Sequence, residues 1–117
     1  MQAQVGLARA EGLVRSARSY WDHEVEAVWD TAVHRCELSL ESRAAARIAS
    51  LTATGHCVAA VDLLYRLAGS SAIFQSSPLE RCSRDVHTTA QHLQVQEGRW
   101  ETTGRVLMGL DPGSPVL

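Results

Sequence analysis

At 117 residues the chain has room for one domain and not for two. A hydrophobic content of 45% against 21% charged residues excludes the disordered regime, and a formal charge of −2 gives no electrostatic basis for binding nucleic acid or an anionic membrane. All eleven basic residues are arginines, a composition bias with no mechanism attached. Cys36, Cys57 and Cys82 are an odd set without CxxC spacing, which reads as buried free thiols in a reducing cytoplasm. The first residues carry a helical pattern and no apolar core of a signal peptide. The most apolar stretch, residues 58–68, is interrupted by Asp62 and Arg66 and is too short to span a bilayer. These features describe a soluble cytoplasmic protein.

The first predicted element covers about residues 5–38. Ala10, Leu13, Ala17, Trp21, Val25, Val28, Ala32 and Cys36 recur in steps of three or four, with Arg15, Arg18, Asp22, Glu26 and Asp30 mainly between them. That is the period of an amphipathic helix, about 45 Å long if it runs for some thirty residues. After a break near residues 39–42, a second helix is expected over about 42–68. Its surface is rich in alanine, and Ile48, Leu51, Val58, Val61, Leu64 and Leu67 spread over more than one face, so it should be the central helix. Gly55 lies in its middle at a cost of about 1 kcal/mol in helix propensity, which points to a close backbone approach there.

Residues 69–78 read as a loop. Ser77 suits an N-cap, Pro78 the first helical position, and Glu80 the far side of a capping box, so a third helix is predicted over about 78–93. A short fourth helix follows over about 100–108 and is stopped by Asp111, Pro112 and Gly113. No segment alternates with the period of a strand. The expected architecture is all-α, an up-and-down four-helix bundle occupying residues 1–117 as a single domain.

On a wheel of about 100° per residue, Leu79, Cys82, Val86, Ala90 and Leu93 fall on one side of the third helix. Arg81, Asp85, Thr88 and His92 form a narrow polar strip, with Arg84 at its border. The strip reads either as a solvated face carrying an Arg81–Asp85 pair, worth a few tenths of a kcal/mol (about 0.2–0.5), or as the wall of a ligand cavity with His92 as an acid or base. Metal binding is not expected. His87 and His92 lie about 140° apart on a helix, no Glu-x-x-His is present, and His23, His34 and His56 stand alone. The cysteines look like packing residues rather than nucleophiles, and no phosphate-binding glycine loop is present.

The run Leu67-Ala68-Gly69-Ser70-Ser71-Ala72, followed by Ser77-Pro78-Leu79-Glu80-Arg81-Cys82-Ser83-Arg84-Asp85-Val86-His87-Thr88-Thr89-Ala90-Gln91-His92, resembles the C-terminal domain of the acyl-CoA dehydrogenase superfamily. It is most similar to the branch of two-component flavin-dependent monooxygenases. The opening LARAEGLVRSAR, the ESRAAARIA stretch and the closing GRVLMGLDPG extend the resemblance over nearly the whole chain.

The resemblance implies a bundle that packs with its copies as a dimer or tetramer and closes one side of a site for FMN or FAD. It implies that Gly69, Ser70 and Ser71 form the turn reaching the flavin of a neighbouring subunit. By residue type alone, a helix-ending turn with Gly69 as its cap is an equal reading. It also implies that His92 is the catalytic histidine beside the flavin ring, acting as acid or base. Many acyl-CoA dehydrogenases carry a glutamate after the Arg-Asp pair, whereas residues 91–94 here hold no carboxylate, which argues against plain dehydrogenation. An N-terminal helical domain and a β-domain are absent from these residues, so the expected partners include another chain supplying both, and a flavin reductase. The isolated chain is expected to be inactive. The competing readings are a non-catalytic helical oligomerisation module and a fragment of a true acyl-CoA dehydrogenase.

Overall fold

The structure is a computed structural model that describes residues 2–115 and residue 117, with the side chain of Ser71 outside the described set. Among the described residues there are four α-helices and no strand: α1 (Gln2–Arg35), α2 (Leu40–Ala68), α3 (Pro78–Ala90) and α4 (Gly98–Leu107). A 3-10 helix, Gly69–Ile73, joins α2 to α3. The all-α class expected from the sequence is the class observed.

α1 is uninterrupted for 34 residues, about 51 Å at the α-helical rise, and this rod sets the long dimension of the 50 × 25 × 24 Å molecule. It stops where Cys36 takes φ 56°, a left-handed residue at the usual helix-terminating position, with its N–H bonded to the Ala32 carbonyl. α2 begins on an N-cap, since Ser39 is extended and its hydroxyl accepts from the Ser42 N–H at 3.1 Å. It ends at Gly69, whose φ of 63° and ψ of −145° belong to a region open only to glycine.

The two long helices form an antiparallel hairpin. Leu67 lies over Gly6, Ser16 meets His56 at 3.1 Å, and Trp21 faces Ser50 and Ala53. α2 is the spine on which α1, α3, α4 and the 3-10 helix all pack, whereas no close backbone approach joins α1 to α3 or α4, or α3 to α4. By length and apolar content α2 could also cross a bilayer. Here it is the helix that gathers the others, and Arg43, Arg47, Asp62 and Arg66 are spread along it.

The core is thin. The buried apolar side chains among the described residues are six alanines (Ala10, Ala17, Ala44, Ala49, Ala60 and Ala72) with Leu51 and Val106. Small residues let α1 and α2 approach closely but contribute little burial each. The radius of gyration is 17.0 Å, where a compact chain of this length would have about 13 Å. The accessible surface is 8088 Å², against about 6,200 Å² for a compact monomer of the same mass.

Several expectations change. The close approach occurs at Gly6, where Leu67 would meet an added Cβ, while nothing lies within 4 Å of one at Gly55. The capping box at α3 does not form. The Ser77 N–H that Glu80 would accept is already given to the Phe74 carbonyl at 2.9 Å, and Glu80 turns to Arg84 at 3.8 Å. Pro78 at the first turn carries the start of the helix instead. Cys36 and Cys82 are exposed and Cys57 is half-buried, so the thiols do not pack in the core as their helical positions suggested.

Candidate functional site

α3 stops at Ala90, three residues short of the end that periodicity predicts, because residues 91–97 form successive turns instead of a further helical turn. The Gln91 N–H bonds to the Thr88 carbonyl and the His92 N–H to that of Thr89, both i to i−3. His92 therefore sits in a turn and not on the helical strip to which the wheel assigns it. It is exposed, as are Arg81, Asp85 and Thr88, and the Arg81–Asp85 pair at 3.6 Å lies on open surface. Within this chain the strip is a solvated face. The apolar side of α3 is only partly covered: Leu79, Val86 and Ala90 are half-buried and Cys82 is exposed.

The turn geometry gives His92 a defined orientation. Its ring Nδ1 accepts from the Gln94 backbone N–H at 3.2 Å, so the neutral ring carries its proton on Nε2. Two arginines secure the same turn. Arg99 Nε donates to the Leu93 carbonyl at 2.9 Å, and Arg47 Nη1 donates to the Gln94 carbonyl at 2.8 Å. Arg99 is only 8% exposed. Burial holds the Arg47 guanidinium below its usual range, with like-charge repulsion from Arg99 and then Arg43 adding to it. Sequence reasoning did not single out this cluster. The available signal was an arginine amid the alanines of the central helix, since a charge on an inward face needs a partner.

A second polar contact was also missed. His87 Nε2 lies 2.7 Å from Asp62 Oδ1, the carboxylate that interrupts the apolar run of α2. The pair pins α3 to the spine at the edge of an open cleft of about 480 Å³, which is also lined by Gln91, Glu97 and Trp100. On the other side of α3, Trp21, Ala53, Cys57 and Val86 line an apolar groove of about 460 Å³ where α1 and α3 fail to meet. Among the described residues no group of three or more metal-ligating side chains converges.

Gly69 and Ser70 are exposed at the far end of α2, with open space around Gly69, and Ala72 anchors the turn with no exposed surface. The turn precedes α3 and His92 follows it, so the thirteen residues of that helix lie between them in the chain. The chain does not bring its two sequence-predicted site elements together. Gly69 has open space around it and His92 is exposed.

The sequence profile described as the acyl-CoA dehydrogenase C-terminal domain matches residues 1–97. An indole-3-acetate monooxygenase of Pseudomonas putida is 26% identical over 110 residues, which is 94% of this chain and 28% of that protein. A protein of the same name from Acinetobacter baumannii is 26% identical over 114 residues, 97% of this chain and 29% of that one. The oxygenase subunit HsaA, a flavin-dependent monooxygenase of Mycobacterium tuberculosis, is 32% identical over 82 residues, 69% of this chain and 21% of its own length. The chain thus spans less than a third of the curated relatives it matches.

Proposed function

Starting from the fact that this chain belongs to the acyl-CoA dehydrogenase C-terminal domain family, we propose that it is the helical C-terminal part of a flavin-dependent monooxygenase and supplies two separate half-sites to an oligomer. The observation that carries this reading is the order of the elements: the Gly69–Ser70 turn precedes the thirteen-residue α3 and His92 follows it, so the two sit beyond opposite ends of that helix. In this reading each element serves a different cofactor, one held by its own subunit and one by a neighbour. Gly69, Ser70 and Ser71 reach toward the flavin of a neighbouring subunit, and His92 faces the flavin held by its own. A bound FMN or FAD supplies the redox chemistry. This chain supplies a side-chain-free approach at Gly69, Ser70 next to it, and an oriented imidazole that places a proton donor at Nε2.

The remaining walls come from an N-terminal helical domain and a β-domain, and a flavin reductase delivers the reducing equivalents. A site built from several domains does not assemble from one of them. The purified chain, mixed with FMN or FAD and desalted, should retain no stoichiometric flavin, and tight retention by the chain alone would refute the reading. In an assembly completed with the other two domains, His92→Gln should remove turnover while leaving assembly intact.

A second reading, a non-catalytic oligomerisation module, is favoured by the apolar side chains along α1. Trp21, Val25, Trp29 and Val33 are all exposed, and the surface in excess of a compact monomer is about 1,900 Å², more than the roughly 800 Å² each partner gives to a standard interface. The His92→Gln test separates the two, because a scaffold would tolerate that change without loss. A fragment of a true acyl-CoA dehydrogenase, the description the matching profile bears, is the weaker reading, since residues 91–94 hold no carboxylate and the relatives described above are monooxygenases.

A further inference from the structure

The peptide group between Leu93 and Gln94 is engaged on both sides. Its carbonyl accepts from Arg99 Nε at 2.9 Å, and its N–H donates to His92 Nδ1 at 3.2 Å. The two contacts share one amide, so a cationic donor on the oxygen withdraws electron density and strengthens the N–H as a donor. A loop carbonyl alone would be satisfied by water or by a neutral side chain. Here it takes a guanidinium that is 8% exposed and lies close enough to Arg47 to repel it, an arrangement that costs desolvation. Arg47 fixes the next carbonyl, at Gln94, and so holds the plane of the following peptide.

We propose that Arg99 is a positioning residue for His92: through the Leu93–Gln94 peptide it fixes the imidazole in the Nε2–H form and presents that N–H outward. In this state His92 serves as a neutral hydrogen-bond donor to an electron-rich oxygen or nitrogen. Service as a base at Nε2 requires the proton on Nδ1, where it would face the Gln94 N–H. The proposal rests on the reading of His92 as a site residue, but it is tested on the ring itself and without flavin.

The experiment uses the full chain labelled with ¹⁵N and ¹³C, at about pH 8.5, two units above the usual histidine range. His92→Gln identifies the His92 ring signals by their loss. In the wild-type chain Nδ1 should resonate as an unprotonated acceptor. Couplings across the hydrogen bonds should connect it to the Gln94 amide nitrogen, and Arg99 Nε to the Leu93 carbonyl carbon. In Arg99→Gln the Gln94–His92 coupling should vanish and the Nδ1 shift should move toward that of free histidine. A proton on Nδ1, absence of either coupling in the wild type, or a folded Arg99→Gln chain with an unchanged His92 ring overturns the proposal. If Arg99→Gln does not fold, the two wild-type couplings decide alone. Loss of the couplings leaves the site reading of His92 standing, and an active His92→Gln assembly removes that reading while leaving the relay intact.

Discussion

Gly55→Ala tests whether α2 has free space where its sequence suggests crowding. Gly55 lies near the centre of a 29-residue helix, is exposed, and has no atom within 4 Å of the position an added Cβ would take. Glycine in a helix interior is less favourable than alanine by about 0.8–1.0 kcal/mol, mostly through the entropy of the unfolded chain. No opposing steric term exists in this chain, so the substitution should stabilise it by about 1 kcal/mol. For a domain of this size that is a rise of about 4 °C in Tm, or ~0.5 M in the urea midpoint at a slope of ~2 kcal/mol/M. The assay is thermal and urea unfolding followed by circular dichroism at a dilution where the chain is monomeric. Gly69→Ala serves as the opposite control. There the space is equally open, but φ is 63°, and the strain of placing a side chain in that conformation should cost about 1–3 kcal/mol. If Gly55→Ala destabilises the monomer, the helix geometry described here is wrong. If it leaves the monomer stabilised but weakens association, a partner's backbone sits against Gly55.

Leu51 is the one large aliphatic side chain at 3% exposure among the described core residues, so Leu51→Ala should cost about 3 kcal/mol; a urea midpoint unchanged within error would contradict the packing. Trp29 is 69% exposed on α1, and Trp29→Gln should shift sedimentation toward the monomer with less than about 0.5 kcal/mol effect on monomer unfolding; unchanged association would remove this helix face from the interface.

The helices were legible because their signals are local. The steps of three and four in α1, the alanine-rich multi-faced pattern of α2 and the Ser77–Pro78 start of α3 each act over a few residues. The family was legible from the motif running from Gly69 to His92, and the profile match over residues 1–97 bears that out. Illegible features depend on which atoms have already found partners. Glu80 lost its capping role because the Phe74 carbonyl reached the Ser77 N–H first. His92 left the helix because its turn is held by Arg47 and Arg99, one on α2 and one at the start of α4, and no wheel drawn on residues 78–93 contains either. The Asp62–His87 contact spans 25 residues and left only one trace in the sequence, a carboxylate breaking an apolar run.

The same physics explains why α1 reads as amphipathic yet leaves its tryptophans exposed. A helix written with alanine on the side facing its neighbour can approach that neighbour closely, and α1 buries Gly6, Ala10 and Ala17 against α2 in this way. Its bulkier side chains, Trp21, Val25 and Trp29, then lie beside the hairpin seam and not within it, where they border an apolar groove with Ala46. A chain that kept only its own stability would place those large side chains at the seam, where each would contribute about 1.5–3 kcal/mol on full burial. The sequence instead spends its small residues inside and its large ones on an outer face, the distribution expected when the second layer of the core belongs to another chain or domain.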